Sequence, residues 1–167
     1  IAEIPRPTLE TAGAVLSEYE PEIAGKNYET AIIVTQSGQV YRVRGHINGV
    51  NIHGLPDDAL YGAYMTHNHP DSVTRNSFSA FDISEALKYR FAELRGFDSE
   101  YEYVMRVLPG TIQKEDYIVQ HDFGNMYRNE AIERARNGDL DPDVDEYHYI
   151  CSRMSQDYGF YYERRHK

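Results

Sequence analysis

Between Glu29 and Pro70 the chain passes through short β-rich runs, and the last of them leads straight into two histidines and a proline. Ala31-Ile32-Ile33-Val34 and Val40-Tyr41-Arg42-Val43 flank Gln36-Ser37-Gly38-Gln39, a turn signal that predicts a hairpin. A third apolar run, Gly62-Ala63-Tyr64-Met65-Thr66, predicts a strand that enters His67-Asn68-His69 and stops at Pro70. Between hairpin and third strand, turn residues surround Ile47, Val50 and Ile52, a pattern compatible with one further short strand. Pro56 to Leu60 reads as a single helical turn.

Helical spacing governs much of the rest. Pro5 and Pro7 make an extended lead-in, and Thr8 caps a helix expected to run through about Tyr19. Ile83, Ala86, Leu87, Phe91 and Leu94 recur on one face and predict a helix from Ser79 to about Leu94, with Gly96 at its end. Tyr101 to Leu108 is expected as a strand closed by Pro109-Gly110, and Tyr117-Ile118-Val119 as another. Helices follow over about Asn125 to Arg136 and Pro142 to Tyr158, with Phe160-Tyr161-Tyr162 as a last edge strand. This alternation predicts one α/β domain over residues 1–167, a mixed β-sheet flanked by helices. The chain begins at Ile1, so it is expected to be a fragment of a longer protein with a missing upstream region.

Composition narrows the classes of partner. Seventeen Lys and Arg against twenty-seven Asp and Glu give a formal net charge of −10, which disfavours a nucleic-acid partner. No apolar run approaches the roughly 20 residues that cross a bilayer, so no membrane association and a cytoplasmic location are expected. The lone Cys151, read as a core or semi-buried thiol, excludes an intrachain disulfide and a Cys-rich zinc finger. Seven histidines are left as the main soft metal ligands.

Two of them carry a recognisable chemistry. His67 and His69 stand one residue apart at a strand end, and Asp82 lies in the first turn of the helix expected next. Two imidazoles and one carboxylate, with a fourth position left to water, make a catalytic rather than a structural zinc site. Such a site also needs a base and a donor for the developing oxyanion.

The order of Glu29, His67-Asn68-His69-Pro70 and Ser79-Ala80-Phe81-Asp82 resembles the JAMM motif of the JAB/MPN metalloprotease family, in particular its RadC-like and other prokaryotic branches. The resemblance covers about residues 29–95 and implies a cytidine-deaminase-like JAB/MPN architecture. It further implies Zn2+ held by His67, His69 and Asp82, Glu29 as general base and Ser79 assisting the oxyanion. The implied activity is hydrolysis of a peptide or isopeptide bond in a protein substrate, a ubiquitin-like tail being one form. A catalytically silent MPN-type scaffold and a RadC-like role around nucleic acid are the alternatives.

One spacing departs from the family. Nine residues separate His69 from Ser79, two more than usual, which predicts a longer loop at Asp71 to Phe78. Ser77 meets the usual count, but the residue three beyond it is Ala80 rather than an acid. Ser79 with Asp82 is also an ordinary helix start, and the two roles coexist when the cap aims both side chains off the helix end. Glu18, Glu20 and Glu22 are nearby alternatives to Glu29, with solvated acids as their plainer account.

The acids Asp139, Asp141, Asp143 and Asp145 fail as a calcium loop, since Val144 and Ile150 occupy the positions that need Gly and Glu. They are better read as a helix start with Asp141 as N-cap and Pro142 at its first position. Glu163 to Lys167 is expected to be a frayed basic terminus.

Overall fold

Strands β2 (Thr30–Val34) and β3 (Gln39–Arg44) form the expected hairpin, with Val34 opposite Val40 and Thr30 opposite Arg44. Gly38 takes a φ of 87° in the turn, and its N–H donates to the Thr35 carbonyl at 3.0 Å. A residue with a Cβ is strained there, which is why the turn falls on this glycine. The computed structural model describes residues 2–3, 6–46, 49–70 and 77–167. Ile47, Asp71 and the expected long loop up to residue 76 lie outside them.

Strand β4 (Tyr64–Asn68) pairs antiparallel with β2 and parallel with β5 (Glu93–Phe97), and helix α3 (Ala80–Lys88) joins the parallel pair. Strand β6 (Tyr101–Arg106) follows antiparallel, and β7 (Tyr161–His166) closes that side of the sheet. A two-residue strand β1 (Ala2–Glu3) lies outside β3, so the order is β1-β3-β2-β4-β5-β6-β7. The result is one α/β domain with a mixed sheet.

Alternation along β2 distributes its side chains to two apolar layers. Ile32 and Val34 face helix α1 (Leu9–Ile23), packing with Ala12, Leu16 and Ile23. Ala31 and Ile33 face the larger core, which includes Ile83 and Leu87 of α3 and Ile150 and Met154 of α6 (Pro142–Tyr158). A short α2 (Asp57–Leu60) matches the expected helical turn. Asp141 caps α6 as expected, its carboxylate accepting from the Asp143 N–H at 3.0 Å. Cys151 is fully buried.

Several expectations are corrected. The helix predicted to run from Ser79 to Leu94 ends at Lys88; Arg90 then adopts a φ of 49°, and Leu94 and Gly96 belong to β5. Phe91 and Leu94 continue the helical period of Ile83 and Leu87, but Phe91 precedes β5 (Glu93–Phe97) and Leu94 lies within it, so periodicity alone runs on past the reversal at Arg90. Tyr117-Ile118-Val119 lies in α4 (Asp116–His121), not in a strand, because three apolar residues carry too little period to decide. A π-helical segment, Asp122–Tyr127, connects α4 to α5 (Arg128–Arg136), so the helical run begins well before Asn125.

Helix α1 continues past Tyr19 and contains Pro21. The Glu163–Lys167 tail is not frayed: β7 pairs with β6 through His166, and the Lys167 N–H donates to the Glu100 carbonyl at 2.8 Å. Charged residues tolerate this edge position because one strand side stays open to water. Among the described residues of 45–54 there is no strand, only a bridge between His46 and Gly49. Val50 and Ile52 are nonetheless buried in the main core.

Candidate metal centre

Residues two apart on a strand share a face, so His67 and His69 both point to the α3 side of the sheet. His67 sits opposite Ala31 and Gly96 in the two flanking registers. The ladder persists beyond β4, the His69 N–H donating to the Phe97 carbonyl at 2.6 Å. Both rings are buried, at 1% and 7% exposure. Phe78 packs beside the His67 ring, and Tyr103 stacks on that of His69.

Asp82 reaches the pair from the start of α3. The Ser79 N–H donates to Asp82 Oδ2 at 3.0 Å, and the Asp82 N–H donates to Ser79 Oγ at 3.1 Å. This reciprocal cap fixes the carboxylate at the helix start. Its Oδ2 lies 3.7 Å from His67 Nε2, while His67 Nε2 and His69 Nε2 are 3.0 Å apart. Ligand atoms from all three residues lie within 4.8 Å of one another. Tetrahedral zinc with bonds of about 2.0–2.1 Å sets its donors about 3.3 Å apart, a spacing that the two shorter distances bracket. The three residues therefore form a group that could hold a metal ion.

Glu29, directly before β2, lines the same cavity as His67 and Asp82, a small space of about 20 Å³ partly open to solvent. Burial raises its carboxyl pKa to about 7; His67 opposes that rise and Asp82 reinforces it. Burial also penalises a charged His67, yet Asp82 and Glu29 outweigh it and hold the imidazole above its ordinary value. Asp82 loses solvation as well, but His67 and His69 pull it down to about 2. His67 Nδ1 is buried without a hydrogen-bond partner of regular geometry, although the Arg95 backbone favours a proton on the ring.

Of the rival acids, Glu20 accepts from the Thr66 hydroxyl at 3.0 Å and pairs with Arg95, and Glu22 pairs with Arg42. Neither lines this cavity. Ser79 holds Asp82 but does not line the cavity either. Ser77 is buried and engaged elsewhere, 2.7 Å from the Tyr162 hydroxyl, which in turn lies 2.8 Å from His148 Nδ1.

Comparison with models of protein families, with curated proteins and with solved structures finds no match.

The sequence reading missed three contributors. Asn68, between the two histidines, points to the opposite face, where its Oδ1 accepts from the Thr30 N–H at 2.7 Å and its Nδ2 donates to the Tyr28 carbonyl at 3.0 Å. It thereby grips the backbone on both sides of Glu29. Gly96 leaves room for His69, since a Cβ there would stand 3.1 Å from His69 Nε2. Glu85, one turn beyond Asp82, is 6% exposed and lines the cavity. Only Glu85 carried a signal, an acid set at helical spacing from Asp82.

Proposed function

We propose that this chain is a zinc-dependent hydrolase of peptide or isopeptide bonds, of the JAMM type. The observation that carries the reading is the convergence of His67, His69 and Asp82 beside a buried Glu29. His67, His69 and Asp82 would hold the ion. Bound there, zinc supplies Lewis acidity, polarising a scissile carbonyl and lowering the pKa of water from about 16 toward about 7.

The chain's own groups divide the remaining work. Glu29, its carboxyl raised to about 7, is matched to take a proton at neutral pH and return it to the departing amine. Asn68 keeps that carboxylate's backbone in register with the histidines. Ser79 holds Asp82 toward them through the helix cap. Apolar walls, including Val50, Ile52 and Phe91, limit water in the cavity. A strand-end His pair facing a helix-start Asp also supports the JAB/MPN architecture for this α/β domain. A protein substrate suits the net charge of −10 better than a polyanion does.

The test is Glu29→Gln assayed on a panel of peptide and isopeptide substrates. The variant should bind zinc as the wild type does and lose cleavage by 100-fold or more, on the order of a general base's contribution. A wild type that binds zinc and cleaves nothing in the panel would favour the silent scaffold instead.

A further inference from the structure

Three consecutive residues at the entry to α3 are each anchored separately. Ser77 is 2% exposed, and its Oγ lies 2.7 Å from the hydroxyl of Tyr162 in β7. Phe78 is fully buried, and its carbonyl accepts from Sγ of Cys151 in α6 at 3.4 Å. Its ring packs beside that of His67 and edge-on to that of Tyr162. Ser79 exchanges hydrogen bonds with Asp82 in the helix cap. The cap fixes Asp82 relative to Ser79, but it does not fix Ser79 relative to the sheet that carries the two histidines. The anchors on Ser77 and Phe78 do.

Strand register places Tyr162 for this task. Met65 pairs with Leu94, Leu94 with Met105, and Met105 with Tyr162. Side chains in one such row share a face, and Met65 stands two residues before His67, so Tyr162 projects from the same side of the sheet as His67 and His69. One sheet thus reaches the start of α3 at two places, through the histidines beside Asp82 and through Tyr162 beside Ser77. The Tyr162 hydroxyl also lies 2.8 Å from Nδ1 of His148 in α6. Burial, aided by Arg164, lowers the His148 pKa to about 4, so the imidazole is neutral at neutral pH. With its proton on Nε2 it accepts from Tyr162, which leaves the phenolic oxygen to accept from Ser77.

We infer that Tyr162 is a positioning residue for the metal centre: bonded to Ser77 on one side and His148 on the other, it ties the start of α3, and through the cap Asp82, to β7 and α6. Its function rests on the proposed zinc reading, whereas its hold on the helix start requires no metal. Both β7 and α6 lie beyond the stretch that resembles the JAMM motif. A phenol inside a protein finds partners in any case, and on that plainer account Tyr162 would support global stability alone.

The experiment compares the full wild-type chain with Tyr162→Phe, which keeps the ring and removes the hydroxyl. Ser77→Ala removes the other end of the bond and carries the same test if Tyr162→Phe does not fold. Amide hydrogen exchange is followed by NMR on metal-free protein, and zinc affinity is measured by competition with a chromophoric chelator. The internal reference is the Tyr89 N–H, which donates to the Glu85 carbonyl at the far end of α3. Relative to it, the Ser79 and Asp82 amides should exchange at least about fivefold faster in the variant, a local opening of the helix start. Zinc should bind about tenfold more weakly, the lower end of what outer groups that orient metal ligands contribute. Exchange that rises equally at Tyr89 and at the cap, or does not rise, overturns the assignment whatever the zinc affinity. Faster exchange at the cap with wild-type zinc affinity also overturns it, confining Tyr162 to the fold. If no protein takes up zinc, wild type included, the metal-centre reading fails, while the cap amides still decide whether Tyr162 holds the helix start.

Discussion

The amide of Asn68 is bonded to the backbone on either side of Glu29: it accepts from the Thr30 N–H at 2.7 Å and donates to the Tyr28 carbonyl at 3.0 Å. One strand position thus ties the proposed base to the proposed ligands, because the residues before and after Asn68 are His67 and His69. Asn68→Ala would leave the buried Thr30 N–H unpaired, at a cost of about 1–3 kcal/mol, and would remove a half-buried bond to the Tyr28 carbonyl. Urea denaturation should therefore show a loss of about 2 kcal/mol or more. Zinc content should stay at one ion per chain while cleavage falls, and an unchanged cleavage rate would remove Asn68 from the account.

Gly96 stands close beside His69, with little room for a side chain. A Cβ would come within 3.1 Å of both His69 Nε2 and Phe78 Cε1. Gly96→Ala should displace the ring and weaken zinc binding by at least tenfold, with an overpacking cost of about 1–3 kcal/mol. Competition with a chromophoric chelator measures it. Wild-type affinity in this variant would mean that His69 is not held by the sheet as described.

The candidate site was more legible in sequence than the fold around it. A hairpin turn, a strand stopped by Pro70 and a capping box at Ser79 are local signals, and each lies where the residues indicate. Asn68 gave no such signal, since its partners are 38 and 40 residues away. Strand β5 was hidden for a different reason: Phe91 and Leu94 keep a helical phase with Ile83 and Leu87, and only the reversal at Arg90 separates strand from helix. Strand β7 was obscured by its charge. Arg164 and Arg165 look like a solvated tail until β6 supplies the pairing and Asp145 a partner for Arg164.

His148 sets a pH dependence away from the metal ligands. Burial, aided by Arg164, lowers its pKa from 6.5 to about 4, while Asp145 opposes the shift. The unfolded chain therefore binds more protons than the folded one between those values, and stability must fall as pH drops through that window. His148→Gln, which keeps a side chain able to bond the Tyr162 hydroxyl, should flatten the slope of unfolding free energy between pH 6.5 and 4. An identical slope in variant and wild type would show that His148 titrates normally.

Zinc stoichiometry tests the central claim most directly. Metal content measured by mass spectrometry, together with X-ray absorption at the zinc edge, should show one zinc per wild-type chain with two imidazoles and a carboxylate oxygen. His67→Ala and Asp82→Ala should each lose the ion. Removing zinc with a chelator should lower the melting temperature by about 5–10 °C, if free zinc stands at about 100 times its dissociation constant. A folded wild-type protein that takes up no zinc, or one whose zinc survives both substitutions, would contradict the account.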